Sequence, residues 1–577
     1  MIFFKKKSIS YKGYSIPADE SYLISRTNRF MTLLIMIVSG LFLSTAFPPL
    51  NLEIAAFFAV IPLIVESIKN PASRRLFSYG YIWSMAWSFC SFFWLREINP
   101  LIPGVLAAII GLWGGVYACL VSFVYRNVFT DEKRMMQDFK SRKVCDFSWY
   151  KAILFSAVAG GLFILLEYIR INMFPWNFIG ATQYKMLYLI QIVKFTGIWG
   201  VSFLIVAANA ALALCVWYTL EKMRSKTVVF KGVVTGAIFY AVLIMLVCIY
   251  GYFAVKKSEK IPQNGVKVKL GTVQGNISQR RVSTSEMAQE ALDTYINLSH
   301  KLAEQKPDII IWPETAVPYP YFGGHKICAM YRSKVHKLVT ENKLPLLTGT
   351  LDFIIIDNKN YEMTNSAFLI SKEGFLLDKY AKINRVPYGE FVPLREFLPE
   401  KVADAFGMGR DLKAGNDPSP VEILPGVRAG MAICYESIFA SLARSEVNLG
   451  ANVLIAINND AWYPVSSEPE QHAANAVFRC IENNIHGFRS GNNGASILIL
   501  PSGRIGWSLS GHMLERERKI GVCEVILPQK VEKTFYTKFG DIFLLVVFAG
   551  VSAALIYGIY QYFSLLAKLR KESQEEL

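Results

Sequence analysis

Long apolar runs and short basic segments alternate along the first 254 residues, and one more apolar run lies near the carboxyl end. A helix needs ~20 residues to cross the hydrocarbon layer of a membrane, and each run is close to that length. The pattern predicts eight membrane-spanning helices, at residues 31–48, 52–68, 77–96, 103–125, 152–173, 197–219, 232–254 and 541–563. The second run is the weakest, because it is short and contains Pro62.

The residues between the seventh and eighth runs form a polar block in which strand patterns and helix patterns alternate. Predicted strands cover 266–274, 308–312, 345–350, 366–370, 375–382, 430–433, 453–457 and 495–500. Predicted helices cover 285–304, 327–341, 437–446 and 468–485. A Lys-Glu-Gly turn between two of the strands indicates a hairpin. The alternation predicts one layered α/β domain, and the block is long enough to bury a full core.

Lysine and arginine are concentrated in segments that flank alternate apolar runs, while the segments between them carry little charge. Basic loops of membrane proteins stay in the cytoplasm, so the seventh helix delivers the polar block to the opposite side. The sequence thus predicts a cytoplasmic basic segment and a seven-helix domain, then an outward-facing domain, a final helix and a cytoplasmic tail. Their predicted boundaries are 1–30, 31–254, 255–539, 540–563 and 564–577.

The predicted outward segment 174–184 is aromatic and carries no charged residue. Two interpretations stay open: an aromatic belt at the membrane surface, or a lipid-facing lining beneath the polar domain. Asn209 is polar within the sixth apolar run, and it predicts a contact between packed helices.

Composition narrows the class of protein further. A hydrophobic content of 53% and a mean hydropathy of +0.31 argue against an ordinary soluble enzyme. The net charge of +16 does not form one patch, so we expect no nucleic-acid partner. Nine cysteines and six histidines show neither paired nor metal-ligand spacing, so we expect no disulfide framework, metal or cofactor.

Three side chains in the polar block each follow an apolar strand pattern: Glu314, Lys382 and Cys434. Taken singly, each has a plainer interpretation: a helix-terminal charge, a solvated lysine and a small buried thiol. Taken together, they are the parts of a cysteine acyl-transfer site. The carboxylate is suited to general-base catalysis, and the ammonium to lowering the thiol pKa and binding an oxyanion.

The contexts of these residues are Trp-Pro-Glu-Thr, Tyr-x-Lys-x-x-x-Val-Pro-Tyr-Gly-Glu and Cys-Tyr-Glu. In this order they resemble the carbon–nitrogen hydrolase (nitrilase) superfamily and, over nearly the whole chain, its apolipoprotein N-acyltransferase family. Further matching positions are 46–49, 174–176, 273–277, 386–393, 459–462, Gln471, His472, Arg479, Glu482, Arg489, 492–494, 534–536, Gly540 and Asp541. The chain departs from the family pattern at Ser283, Pro464 and 484–485.

The resemblance implies a role for each site residue. Glu314 would be the general base, Lys382 the stabiliser of the tetrahedral intermediate and Cys434 the nucleophile. Glu390 would assist as a second carboxylate, although a turn residue after Gly389 is the plainer alternative. Tyr435 and Glu436 would shape the pocket.

The resemblance also implies the fold, the reaction and its setting. The polar block would be a nitrilase-like αββα sandwich on the periplasmic side of the bacterial inner membrane. Its partners would be a phospholipid acyl donor, a diacylglyceryl apolipoprotein acceptor and the bilayer itself. The acyl chain would pass through a thioester on Cys434 to the N-terminal amine of the lipoprotein's diacylglyceryl cysteine, without a cofactor.

Two other functions are compatible with parts of the pattern. A membrane-tethered amidase or nitrilase would use the same three residues to hydrolyse a small amide, but eight spans exceed what a tether needs. A transporter with a non-catalytic soluble cap would need ionisable groups along its path, and the apolar runs contain few.

Overall fold

The computed structural model describes residues 26–130, 147–224, 231–262, 264–278, 284–355, 361–397, 399, 411–463, 466–509 and 517–575. Within them a helical bundle precedes an α/β domain, and a last long helix returns to the bundle. Most of the predicted N-terminal segment and the basic residues of 131–143 lie outside the described residues, as do Ser283 and Pro464.

The helices are α1 Arg26–Ser44, α2 Ile61–Lys69, α3 Arg74–Ser91, α4 Ile102–Val124, α5 Trp149–Arg170, α6 Val193–Thr196, α7 Ile198–Arg224, α8 Lys231–Ser258, α9 Ser285–Ala303, α10 Lys326–Asn342, α11 Ala440–Asn448, α12 Glu468–Asn483, α13 Phe535–Phe539 and α14 Ile542–Glu575. The strands are β1 Gly265–Gln274, β2 Ile309–Ile311, β3 Leu346–Ile355, β4 Tyr361–Ile370, β5 Leu376–Ala381, β6 Val421–Leu424, β7 Val427–Ile433, β8 Val453–Asn458, β9 His486–Gly491, β10 Ile497–Ile499, β11 Ile505–Ser508 and β12 Lys519–Pro528.

Five helices of the described chain are long and apolar enough to cross a membrane: α4, α5, α7, α8 and α14. Helices α1 and α3 lie where the first and third spans were predicted and pack against each other, and α3 also packs against α4. The chain is therefore a membrane protein, and its helices are roughly consistent with the eight apolar runs.

The second predicted span is not one helix, and here the prediction over 52–68 was wrong. A 3₁₀ turn at Glu53–Phe57 precedes the nine-residue α2, which begins around Pro62 because proline has no N–H to continue a helix. Asn209 on α7 binds the interrupted backbone: its Oδ1 accepts from Val60 N and its Nδ2 donates to Ala56 O. The predicted packing contact of Asn209 thus satisfies polar groups that lipid could not.

The α/β domain consists of two six-stranded sheets stacked face to face. Their strand orders are β12-β1-β2-β3-β4-β5 and β11-β10-β9-β8-β7-β6. Buried side chains such as Leu270, Ile309, Met431 and Ile455 fill the space between the sheets. Helices α9 and α10 cover the first sheet, and α11 and α12 cover the second. This is the αββα sandwich that the resemblance implied.

Strand direction brings the candidate residues together. Strand β2 runs parallel to its neighbours in the first sheet, and β7, β8 and β9 are parallel in the second. The predicted hairpin is present as antiparallel β4 and β5. Glu314 follows β2, Lys382 follows β5 and Cys434 follows β7. All three therefore lie where strands end, the usual position of functional groups in such domains.

Helix α12 joins the domain to the bundle, and every one of its side chains is buried. Two side chains of α12, Gln471 and Glu482, bind the bundle. Their partners are Pro48 after α1, Ser91 at the end of α3, Ile198 at the start of α7 and Trp176 in the segment 174–184. The other end of the bundle carries Lys69 at the end of α2, Arg74 at the start of α3 and Arg126 just after α4. The domain therefore lies at the end of the bundle away from these three basic residues.

The segment 174–184 is buried by protein. Trp176, Asn177 and Phe178 are each 5% exposed or less. The interpretation of this segment as an aromatic belt at the membrane surface was wrong, because its rings pack under the α/β domain.

Candidate active site

Cys434 lies at the junction of β7 and a 3₁₀ turn, Cys434–Ile438. Its φ is 53°, a left-handed conformation that residues with a side chain rarely adopt. Such strained junctions cluster at functional sites, where the surrounding structure must hold them. The turn directs the chain away from the sheet immediately after the thiol and leaves Cys434 partly exposed.

Glu314 follows β2, which Pro313 ends because proline cannot donate to a strand ladder. Its side chain is 8% exposed. Its Oε1 accepts a hydrogen bond from Asn365 Nδ2 at 2.8 Å and from Lys382 Nζ at 3.3 Å. The candidate base is thus held by an amide and an ammonium in a nearly water-free site.

Lys382 follows β5 directly and is 1% exposed. Its Nζ lies 3.0 Å from Glu390 Oε1 and 3.3 Å from Glu314 Oε1. Burial by itself would lower the pKa of Lys382, but Glu390 and Glu314 together raise it above its usual value. The ammonium therefore stays charged, as an oxyanion partner must.

Glu390 lies in a turn and also binds Lys382, and its role as an assisting second carboxylate stays a prediction. Its Oε2 accepts from Val386 N at 2.8 Å within a turn, and its Oε1 accepts from Lys382. Asn365 on β4 donates one hydrogen bond to Glu390 and another to Glu314. Sequence reasoning missed Asn365, and the only signal was an amide within a strand whose neighbours are buried.

The electrostatics of Cys434 differ from the simplest expectation. Burial and the negative charge of Glu314 raise the pKa of the thiol, and Lys382 lowers it by less. The contribution of Lys382 has the predicted direction, but the net pKa lies well above the usual value. The resting site thus holds a protonated thiol, and reaction requires a base to remove that proton.

Glu436 binds backbone N–H groups of two segments that adjoin the site. Its Oε1 accepts from Ile383 N at 2.7 Å and Asn384 N at 2.9 Å, and its Oε2 accepts from Ile433 N at 2.9 Å. Tyr380 OH also donates to it at 3.0 Å. One buried carboxylate therefore connects the segment after Lys382 to the strand before Cys434. Burial raises the pKa of Glu436 to about 7.

Tyr435 connects the site to the bundle. Its ring stacks on Trp176, with centroids 6.3 Å apart, and meets Phe439 edge to face at 5.2 Å. Trp176 in turn contacts Trp94, which packs edge to face on Tyr463. These rings form an apolar aromatic wall between the thiol and the membrane-spanning helices.

Beneath Cys434 lies a buried polar group, of which the sequence marked three members only as family positions and did not single out the fourth, Glu468. It comprises His472, Asp460, Glu468 and Arg489. Donor atoms of Cys434, Asp460 and His472 come within 4.8 Å of one another, a spacing that a metal could bridge. These atoms already have other partners, since His472 Nε2 faces Cys434 O and Asp460 binds Arg489. The cluster is better suited to hydrogen bonding than to a metal.

Comparisons with known proteins find matches for both halves of the chain. Residues 39–211 match the apolipoprotein N-acyltransferase N-terminal domain, and residues 269–517 match carbon-nitrogen hydrolase. Over 91% of this chain and 95% of its own length, an apolipoprotein N-acyltransferase of Geobacter metallireducens is 30% identical. One of Rickettsia prowazekii is 26% identical over 89% and 96%. An amidase from Nesterenkonia sp. AN1 is 16% identical over 48% of this chain and 98% of its own, with a TM-score of 0.33. The chain belongs to the apolipoprotein N-acyltransferase family.

Proposed function

We propose that this acyltransferase carries an acyl chain as a thioester on Cys434, from a phospholipid to the N-terminal amine of a lipoprotein's diacylglyceryl cysteine. The observation that carries the proposal is that the buried ammonium of Lys382 is paired with the carboxylate of Glu314, beside the Cys434 thiol, in a domain that packs against an apolar bundle. Glu314, Lys382 and Cys434 are the catalytic residues of this proposal.

In the first half-reaction, Glu314 takes the proton of the Cys434 thiol, and Sγ attacks the carbonyl carbon of the phospholipid ester. Negative charge develops on the carbonyl oxygen, and the Lys382 ammonium stabilises it. The carbon–oxygen bond of the ester then breaks. The leaving lysophospholipid alkoxide takes the proton from Glu314, and the acyl group remains on sulfur.

In the second half-reaction, the lipoprotein amine attacks the thioester carbon and loses a proton to Glu314. The carbon–sulfur bond breaks, an amide forms, and Cys434 recovers a proton. Glu390 and Asn365 remain unreacted, holding Lys382 and Glu314 in position through both steps. Tyr435 and Glu436 support the site from the bundle side and the backbone side.

The bundle gives a physical reason to favour lipid substrates over a small amide. Exposing an acyl chain to water costs ~0.8 kcal/mol per CH₂. The aromatic wall, which includes Trp176, Trp94 and Tyr463, supplies apolar surface on the bundle side of the thiol against which an acyl chain could lie. An amidase needs no such path, and a transporter needs no thiol with a base.

The test uses purified protein and phospholipid with a labelled acyl chain, followed by mass spectrometry of the Cys434 peptide. We expect a hydroxylamine-labile acyl adduct in the wild type and in Cys328→Ala, and none in Cys434→Ala. Cys328 is a suitable control because it is another cysteine of the domain, buried in α10. A wild type without the adduct, or an equal adduct in Cys434→Ala, would overturn the proposal. Hydrolysis of small amides at a comparable rate would favour the amidase.

The location proposed is the bacterial inner membrane, with the α/β domain on the periplasmic side. The position of the domain at the end of the bundle away from Lys69, Arg74 and Arg126 supports it. In intact cells, a membrane-impermeant maleimide should label Lys337→Cys, whose native side chain is 73% exposed on the domain. Lys571→Cys in the predicted tail should be labelled only after permeabilisation. The reverse pattern would contradict this orientation.

A further inference from the structure

His472 is a completely buried histidine directly behind the nucleophile. Its Nε2 lies 2.9 Å from the Cys434 carbonyl oxygen and 2.8 Å from Ser437 Oγ. A carbonyl oxygen can only accept a hydrogen bond, so Nε2 must carry a proton and donate it. Ser437 Oγ donates to the same carbonyl at 3.1 Å.

The other ring nitrogen faces two carboxylates. His472 Nδ1 lies 3.3 Å from Asp460 Oδ1 and 3.4 Å from Glu468 Oε1. Arg489 also faces it, with Nη2 at 3.4 Å, and binds the second oxygen of Asp460. Carboxylate oxygens accept from a ring N–H, so the ring is fixed from both sides and its orientation is determined.

The protonation of this ring follows from the same neighbours. Burial and the positive charge of Arg489 lower the pKa of His472, but the hydrogen bonds to Asp460 and Glu468 outweigh them and raise it overall. The ring can thus donate from both nitrogens.

Cys434 has a particular need for such support. Its left-handed φ of 53° is disfavoured for a residue with a side chain, so contacts of the surrounding structure must hold it. One peptide group before the one that joins Ile433 to Cys434, Ile433 N donates to Glu436 Oε2. On the carboxyl side, the carbonyl of Cys434 itself accepts from His472 and from Ser437 Oγ. Removing the histidine leaves the Ser437 hydroxyl alone to hold the carbonyl of the peptide that follows the thiol.

The neighbouring residue fixes α12 against the bundle. Gln471 Oε1 accepts from Trp94 Nε1, Trp176 Nε1 and Asn177 Nδ2. Its Nε2 donates to Pro48 O and Ser91 O, which belong to two other bundle segments. The position of His472 therefore depends on the bundle through the residue beside it.

We propose that His472 is a positioning residue, whose Nε2–H holds the Cys434 peptide in the conformation that presents the thiol to Glu314 and the substrate ester. This rests on the proposed function, in which Cys434 is the nucleophile. A misplacement of about 1 Å at a reacting atom lowers a rate by about 10²-fold.

Two amide variants separate the two hydrogen bonds of the ring. In His472→Gln the side-chain nitrogen can reach the place of Nε2 and still donate to Cys434 O. In His472→Asn it reaches only the place of Nδ1, beside Asp460 and Glu468. We expect His472→Asn to lower the single-turnover rate of Cys434 acylation by about 10²-fold, with an unchanged KM for phospholipid. We expect His472→Gln to stay within about tenfold of the wild type.

The measurement is the rate of labelled acyl transfer from phospholipid vesicles to Cys434, with unfolding temperatures compared for all three proteins. A folded His472→Asn that acylates like the wild type would overturn the proposal. A folded His472→Gln that acylates about 10²-fold more slowly than the wild type would overturn it as well. If His472→Asn does not fold, the rate of His472→Gln alone tests the proposal. A wild type that forms no adduct would instead overturn the proposed function.

Discussion

At the scale of single residues, the site is a thiol whose proton is held more tightly than usual. Two carboxylates, Glu314 and Glu390, share one ammonium, Lys382. Of these groups, Glu314 disfavours the thiolate of Cys434 and Lys382 favours it. The same carboxylate that raises the thiol pKa is thus positioned to remove the proton.

Because Glu314 both raises the thiol pKa and is positioned as the base, we expect Glu314→Gln to speed alkylation of Cys434 but to slow acyl transfer. Loss of the negative charge lowers the pKa of Cys434, so alkylation by iodoacetamide at pH 8 becomes faster, roughly tenfold for each pKa unit. Acyl transfer falls by at least about 10²-fold, because the base is gone. The measurements are the alkylation rate of Cys434 against pH and its acylation rate.

Lys382→Gln is the matched comparison. It removes the charge that favours the thiolate, so the pKa of Cys434 rises and alkylation slows. Acyl transfer falls here as well, through loss of the oxyanion partner. Equal shifts of the alkylation profile in both variants would refute this electrostatic account.

The sequence was sufficient to predict that Glu314, Lys382 and Cys434 each follow a strand, because each comes after a strand pattern in a recognisable context. Their catalytic roles stay predictions. Asn365 could not be predicted in this way. Its role depends on β4 lying beside β5, which is a property of strand pairing rather than of local sequence. The net pKa of Cys434 escaped prediction for a related reason, since it reflects burial that only the assembled fold provides.

At the scale of structural elements, the site depends on connections between strands of different sheets. Glu436 binds Ile433 N in the second sheet, and Ile383 N and Asn384 N just after β5 of the first. The distance between Cys434 and Lys382 is therefore fixed by one side chain that need not touch substrate.

We expect Glu436→Gln to be much more damaging than Tyr380→Phe. The glutamine can replace only one of the two acceptor oxygens, leaving a buried N–H unpaired at a cost of about 1–3 kcal/mol. Tyr380→Phe removes one donor to the same carboxylate and costs about 1 kcal/mol. Acylation rates and unfolding temperatures of the two variants provide the measurement. A Tyr380→Phe that is as impaired as Glu436→Gln would argue against the backbone role.

All eight predicted strands and four predicted helices of the α/β domain have counterparts in the structure, to within a few residues. The strands β6, β9, β11 and β12 were missed. Strand β9, His-Gly-Phe-Arg-Ser-Gly, lacks a β-rich pattern because its polar groups serve the interior: Arg489 binds Asp460, and Ser490 binds Thr272. Because β9 carries polar side chains that bind other buried groups near the site, its sequence lacks the apolar pattern of an ordinary core strand.

At the scale of the whole molecule, the membrane bundle and the α/β domain meet at α12. Gln471 binds several bundle segments, and Glu482 Oε1 accepts from Ile198 N at the start of α7. These contacts are hydrogen bonds between buried groups, so they are strong only when the geometry is complete.

Replacing Gln471 tests this joint. We expect Gln471→Ala to destabilise the protein by about 2–4 kcal/mol, because several buried donors and acceptors lose their partner. The matched control is Gln191→Ala, which removes another buried glutamine that binds the domain at Ser502 O. It should cost about 1 kcal/mol. Thermal unfolding in detergent measures both, and equal losses would contradict the special role of Gln471.

The contact between α12 and the bundle also predicts a dependence of stability on pH, through Glu482. Burial raises the pKa of Glu482 from 4.5 to about 7. Between these two pKa values the folded protein keeps a proton that the unfolded chain has released, so stability falls as pH rises from about 4.5 to about 7, by up to about 3 kcal/mol. In Glu482→Gln this part of the slope should vanish. The exposed Glu532→Gln should keep the wild-type slope, and its loss there too would contradict the assignment.

The complete burial of α12 makes the order of the site depend on the assembly of the whole chain. Part of the covering of this helix comes from the membrane bundle, and the helix in turn binds the carbonyl of Cys434. A domain without its bundle would lose that covering. We therefore expect the Cys434 peptide to be held in place only after the bundle and the domain have assembled.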